Sequence, residues 1–315
     1  MTDIFIEQLR PGQEVNGTFA LRVKKLLPLR SGQGHYLAIV LGDKTGQLEG
    51  RVWEAVDELY QGCRVGDIVE IQGQVTEYNG KLQIQISAMS ACQEGAIDPK
   101  RFIPSSTLNL AAAREKLFSV LDSLQNAHLK DLLSLILSDE AFFNTFVTSP
   151  AAKRNHHATI GGLLEHSLGI VSAAERIAPV YPQVDRDLLV AGALLHDMGK
   201  VEEYDFSTDI DFSDEGRLLG HIVLGAQLLE SYINQLPDFP QDLRLKLLHM
   251  IISHHGQYEW QSPKRPKFIE AALLHHLDMI DAAVDMFSSA VASREDPEEH
   301  WTDWVKGLDR YVFCK

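Results

Sequence analysis

The periodicity of the sequence changes near residue 100, and that change limits the chain to a small β unit followed by a larger helical one. Before it, apolar and polar residues alternate in short runs punctuated by glycine. Val15 to Arg30, His35 to Asp43, Gly46 to Glu54, Asp67 to Gly80 and Lys81 to Met89 read as five strands. Asp43-Lys44-Thr45-Gly46 suits a tight hairpin between the second and third, and Asn79-Gly80 a two-residue turn between the fourth and fifth. Between the third and fourth, Glu54 to Gly62 carries Ala55, Val56, Leu59 and Tyr60 at helical spacing. Five strands with a short helix after the third is the order of an OB-fold β-barrel, an architecture that often binds single-stranded nucleic acid.

Beyond a linker at 96–106 the strand signals almost vanish. Helical periods run over Leu108 to Leu124, Ala127 to Leu137, Asp139 to Val147, Gly161 to Ile177, Asp185 to Leu195, His221 to Gln235, Gln241 to His254 and Lys267 to Ser288. The expected organisation is a two-domain α+β chain: a five-stranded barrel over 1–95, the linker, and an all-α domain over 107–315. The net charge of −15 excludes a protein that holds nucleic acid by bulk positive charge, and the acid is unevenly placed: −3 over residues 1–100 and −12 thereafter. Cys63, Cys92 and Cys314 are too few and too scattered for a disulfide framework or a zinc ribbon, which suggests a reducing compartment. With no basic-then-apolar leader and no apolar run of about 18 residues, the expectation is a soluble, cytoplasmic protein with no membrane partner.

Twelve of the 13 histidines follow the linker. Imidazole is the commonest transition-metal ligand and an acid or base near neutral pH, so their placement matters. His166, the adjacent pair His196-Asp197, His221, the pair His254-His255, and Asp278 stand at the ends or inner faces of expected helices. The apolar run Val190 to Leu195 buries the helix ahead of His196 and Asp197, and two polar groups there are costly without a partner. A cation would satisfy both. His166, His196, Asp197 and Asp278 form a mixed imidazole and carboxylate set suited to Mn²⁺, Fe²⁺, Co²⁺ or Zn²⁺ and less to Mg²⁺. His221, His254 and His255 supply a second set, although SHHG is also compatible with a polar helix cap. Asp197 has two oxygens with which to bridge two ions, and a pair of ions can generate hydroxide and clamp a phosphoryl group.

The order His166, His196-Asp197, Asp278 resembles the signature of the HD superfamily of metal-dependent phosphohydrolases. More narrowly, the chain is similar to the YhaM-type 3′-to-5′ exoribonucleases, in which an OB domain precedes an HD domain. The matching text is Phe102 to Ser106, His156 to Leu168, Leu194 to Lys200, Gly220 to Gly225, Ile252 to Pro266 and Glu270 to Ala282. It departs from that pattern at Thr159, where an aromatic is common, and at Gln261, where glycine is usual. The resemblance implies an OB-fold barrel followed by an all-α HD domain, two divalent ions with Mn²⁺ favoured, and hydrolysis of single-stranded RNA, or of single-stranded DNA, to nucleoside 5′-monophosphates. A homo-oligomer stays open.

Around the ligands, Lys200 follows Asp197 by three residues and is a candidate catalytic group that offsets phosphate charge. Asp281, one turn after Asp278, is a candidate acceptor for a ligand imidazole. Arg154, His156 and His157 are candidates for the substrate path, and His275 for orienting a ligand or a phosphate, with a turn or core role for each as the alternative. In the barrel, Tyr36 and Trp53 offer stacking faces, and Arg22 and Lys24 backbone contacts. Two other functions remain open at this point: an HD phosphohydrolase or cyclic-nucleotide phosphodiesterase acting on a small nucleotide, and a non-catalytic nucleic-acid-binding protein.

Overall fold

A computed structural model describes residues 4–29, 32, 34–92, 98–153, 157–294, 296 and 298–314. The chain divides into two compact units, Met1–Pro104 with Phe206–Ile210, and Ser105–Asp205 with Asp211–Lys315. No helix among the described residues is long and apolar enough to cross a membrane.

The first unit is a closed barrel of β1 (Glu14–Pro28), β2 (His35–Asp43), β3 (Gly46–Val52), β4 (Ile68–Tyr78) and β5 (Lys81–Ala91), ordered β1-β2-β3-β5-β4. All pairings are antiparallel except β3 with β5, which is parallel; the short helix α1 (Val56–Gly62) joins β3 to β4. Period-two alternation puts Phe19, Leu21, Leu37, Ile39, Leu41, Val69, Ile71 and Ile84 inside, each at most 1% exposed. A side chain at Gly50 would strike Ile39 and Ile86, so glycine keeps the interior at size. Both expected hairpins form. Asp43 Oδ1 accepts from the amides of Thr45 and Gly46 and from the Thr45 hydroxyl, while Asn79 and Gly80 both have positive φ, as a right-twisted two-residue hairpin requires.

The expected linker differs in the structure. Ala96 and Ile97 lie outside the described residues, as does Arg30 at the end of the first expected strand. Over Asp98 to Pro104 the chain packs with the barrel: Phe102 and Ile103 are buried, and the Phe102 carbonyl accepts from Arg22 at 3.0 Å.

The second unit contains α2 (Leu110–Ser123), α3 (Ala127–Ser138), α4 (Glu140–Thr148), α5 (Gly162–Ile177), α6 (Arg186–Leu195), α7 (Lys200–Glu203), α8 (Asp214–Leu218), α9 (Gly220–Ile233), α10 (Gln241–Ser253) and α11 (Ile269–Ala292). Asn109, Asn126, Asp139, Asp185 and Ser213 cap helix starts with side-chain oxygens. One small hairpin interrupts the helices, β6 (Tyr204–Asp205) with β7 (Asp211–Phe212). At two residues per strand it leaves no alternation to read. The core surrounds α6, whose residues from Leu188 to Leu195 are all buried. Each fully buried leucine or valine there contributes roughly 1.5–3 kcal/mol, which anchors the segment that follows it.

Candidate metal centre

Helix ends place the functional side chains. His196 stands just past the last turn of α6, and its Nδ1 donates to the Ala193 carbonyl at 2.9 Å. His254 repeats this at the end of α10, donating to the Ile251 carbonyl at 2.7 Å. Each ring satisfies a carbonyl the helix leaves open and turns Nε2 outward. His166 comes from α5, His221 from the second position of α9, and Asp278 from α11.

These groups converge on Asp197. Its Oδ2 lies 3.4 Å from Nε2 of both His166 and His196, and His166 Nε2 is 3.4 Å from Asp278 Oδ1. Asp197 Oδ1 faces the other way, 3.5 Å from His221 Nε2 and 3.4 Å from His254 Nε2. Ligand atoms of His221, His254 and His255 lie within 4.8 Å of one another, as do those of His166, His196 and Asp197.

The tautomers suit cation binding. Carbonyls fix Nδ1 as the protonated nitrogen of His196, His254 and His255, the last donating to Trp260 O at 2.8 Å. Carboxylates take the Nδ1 protons of the others: Asp281 Oδ2 at 2.8 Å from His166, and Glu203 Oε1 at 2.9 Å from His221. Burial, reinforced by His254, pushes His255 down to about 4, and burial also lowers His254. Burial works against the charge on Asp197, yet Lys200 and the histidines hold it well below the carboxylate range. Neutral His254 and His255 beside an ionised Asp197 are in the state that metal binding requires. Asp197 Oδ1, His221 Nε2 and His254 Nε2 are buried without a hydrogen-bond partner, a costly arrangement that a divalent cation resolves.

Several expectations need correction. Lys200 is buried and its Nζ lies 2.6 Å from Asp197 Oδ2, so it braces a ligand rather than awaiting a phosphate. His157 donates to Asp281 at 3.1 Å and also faces Glu165, beside His166. His275 is buried beneath the SHHG turn, where its Nδ1 donates to the His254 carbonyl at 2.8 Å. Its ring fills the space beside Gly256, which has a φ of +76°. Arg154 and His156 lie outside the described residues. Asp281 accepts from the imidazole of His166, a candidate ligand, at 2.8 Å.

In the barrel, Arg22 sits at a register shift between β1 and β2 and lies over Gly42, held by Asp209 at 2.6 Å and by Phe102 O. Lys24 is drawn to the carbonyls of Tyr60 and Cys63 at the end of α1. Both cations are engaged within their own unit. Tyr36 and Trp53 stack with ring centroids 4.8 Å apart, and Trp53 is 51% exposed. Trp53 also borders a cleft of about 780 Å³ shared with Asn16, Gln72, Gln74 and Gln85.

One residue that holds a candidate ligand was not visible in the sequence. Glu203 is buried, accepts both the backbone amide and Nδ1 of His221, and is held ionised by His221 against the effect of burial. In the sequence it is the second of two acids in Lys200-Val201-Glu202-Glu203, a pattern that reads as a solvated helix face. Gln261 adopts a φ of +67°, so the glycine usual there has a conformational reason.

Residues 163–283 match the HD domain family, whose members bind divalent metals, and 19–90 match an OB-fold nucleic acid binding domain. The chain is 32% identical over 312 residues to the 3′-5′ exoribonuclease YhaM of Shouchella clausii, covering 98% of this chain and 96% of that protein. Among solved structures it is similar to the second OB-fold domain of replication protein A from Methanococcus maripaludis, at 21% identity over 30% of this chain and 98% of that one, TM-score 0.25. A similar match is the mitochondrial single-stranded DNA binding protein Rim1 of S. cerevisiae, at 11% identity over 27% of this chain and 99% of that one, TM-score 0.24. With both domain types in order and near-complete coverage of such a relative, the chain belongs to the YhaM-type 3′-to-5′ exoribonucleases, metal-dependent hydrolases that join an OB domain to an HD domain.

Proposed function

We propose that the chain removes nucleotides one at a time from the 3′ end of single-stranded RNA, at a centre holding two divalent ions, with Mn²⁺ the favoured metal. The observation that carries this reading is the division of Asp197, one oxygen toward His166 and His196 and the other toward His221 and His254. His166, His196, Asp197 and Asp278 would hold one ion; His221, His254, His255 and the second oxygen of Asp197 the other. Such ions, when bound, activate water and offset charge on a phosphoryl group.

The protein side chains then have distinct tasks. Asp281 and Glu203 orient His166 and His221 by taking their Nδ1 protons, which leaves Nε2 as the coordinating atom. Lys200 keeps Asp197 ionised and fixed in rotation. In-line attack by water on the 3′-terminal phosphodiester, with O3′ of the preceding nucleotide leaving, yields a nucleoside 5′-monophosphate. The stacked Tyr36 and Trp53 support a barrel that holds single strands through base faces, in keeping with its slight negative charge. A cytoplasmic location belongs to the same proposal, supported by the free thiols of Cys63, Cys92 and Cys314.

The test is 5′-labelled single-stranded RNA incubated with purified protein and Mn²⁺. Stepwise 3′ shortening that is lost in Asp197→Ala is expected. No shortening by the wild type, or equal shortening by the variant, would overturn the proposal.

A further inference from the structure

Beside the metal centre, within the helical unit, lies a cleft of about 550 Å³. Two candidate ligand residues, His221 and His255, form part of its wall, so it adjoins the cage. Tyr204, Phe212 and Trp260 supply aromatic lining, with aliphatic surface from Leu219 and Val223. Trp260 is 49% exposed, yet its backbone carbonyl is fixed because it accepts the Nδ1 proton of His255. The residue that offers a ring to the cleft therefore also positions a ligand. Arg217, on the same wall, is already engaged by Asp211 at 2.9 Å.

The chain leaves this wall through Gln261 and Pro263 and at once presents three exposed cations, Lys264, Arg265 and Lys267. In a helical region of strongly negative net charge, such a cluster is out of keeping with its surroundings. Arg265 lies over the ring of Tyr258, 5.0 Å from its centroid, so cation and aromatic alternate along the rim. Aromatic faces for bases with adjacent cations for phosphates is the chemistry of a single-strand path.

We infer that this cleft seats the 3′-terminal base of the RNA against Trp260, and that Lys264 and Arg265 hold the phosphates of the preceding nucleotides. The inference rests on the exonuclease reading above and adds the substrate path on the helical unit. A phosphodiester on the cage places its nucleoside within one nucleotide's reach, and the aromatic cleft adjoins His221 and His255. Because a ring face accepts any base, the site tolerates all four nucleotides at the 3′ end.

The experiment is steady-state shortening of single-stranded RNA by wild type, Trp260→Ala, Trp260→Phe and a Lys264→Ala/Arg265→Ala double variant. Trp260→Ala is expected to raise KM on the order of tenfold, with the loss falling on KM rather than kcat, and Trp260→Phe to recover most of it. The double variant should flatten the dependence of log KM on log salt by about 1.4. RNA ending in 4-thiouridine should crosslink to the Tyr258 to Lys267 segment. Wild-type protein that shortens no RNA would remove the underlying reading. Shortening with an unchanged KM in Trp260→Ala, an unchanged salt slope, or a crosslink elsewhere would overturn this inference alone.

Discussion

The Nε2 atoms of His166 and His196 lie 3.2 Å apart, and each is 3.4 Å from the same oxygen of Asp197. Between two ring nitrogens so placed there must be either a proton or a metal ion, since two bare lone pairs repel. Burial disfavours the imidazolium, but Asp197, Asp278 and Asp281 outweigh it and raise His166 well above its ordinary value. The carboxylates that would attract a cation thus hold a proton in its place.

Replacing Asp197 should disturb both ion sites at once, because its oxygens face separate imidazole sets. Asp197→Asn is expected to lose both ions, whereas Asp278→Asn should lose the one beside His166, as measured by metal content after gel filtration. It also strands the buried Lys200 ammonium, so metal-free Asp197→Asn should be less stable by about 3–5 kcal/mol. Adding Lys200→Met should recover part of that loss. Equal metal content in the two single variants would count against the bridging geometry.

Glu203 accepts the Nδ1 proton and the backbone amide of His221. Glu203→Ala frees the ring to rotate and is expected to weaken one ion by about 10–100-fold while leaving the other in place. Calorimetric titration with Mn²⁺ distinguishes two binding events and reads each. If both events keep wild-type affinity, Glu203 has no positioning role.

What the sequence discloses follows from how local each determinant is. The barrel was legible because alternation and the turns at Asp43 and Asn79 are set by neighbours in the chain. The candidate ligands were legible because His196 and His254 sit where a buried helix ends, and a polar residue there demands a partner. Lys200, Arg22 and Lys24 read as free cations because their partners turn inward only in the fold: Asp197 from the same turn, Asp209 from a distant hairpin, and the carbonyls ending α1. Glu203 was missed for the converse reason. Its partner, His221, is 18 residues away on another helix.

The barrel makes a separate prediction. Trp53 stacks on Tyr36 and remains half exposed, so Trp53→Ala removes a base-stacking face without removing charge. Affinity for single-stranded RNA should fall on the order of tenfold, while the salt dependence of binding stays as in the wild type. Fluorescence anisotropy at several salt concentrations measures both. A lowered slope would mean that phosphate contacts were lost instead.

Asp187 gives a pH prediction away from the metal ligands. Its Oδ2 accepts from the backbone amides of Gln125 and Asn126 at 2.6 and 2.8 Å, and Oδ1 accepts from Arg186 at 2.8 Å. Burial opposes ionisation, but the Asn126 amide, Arg186 and the Gln125 amide together lower its value from the ordinary 3.8. A carboxylate lowered on folding contributes stability that is present above its unfolded value and is lost as pH falls through the folded one. Asp187→Asn should therefore be less stable than wild type by about 1–3 kcal/mol at neutral pH, with the gap closing below about pH 4. Urea unfolding of both proteins at pH 7, 5 and 3 reads the difference. A gap as wide at pH 3 as at pH 7 would show that the carboxylate's charge contributes nothing, and that shape alone holds the junction of α2 and α3.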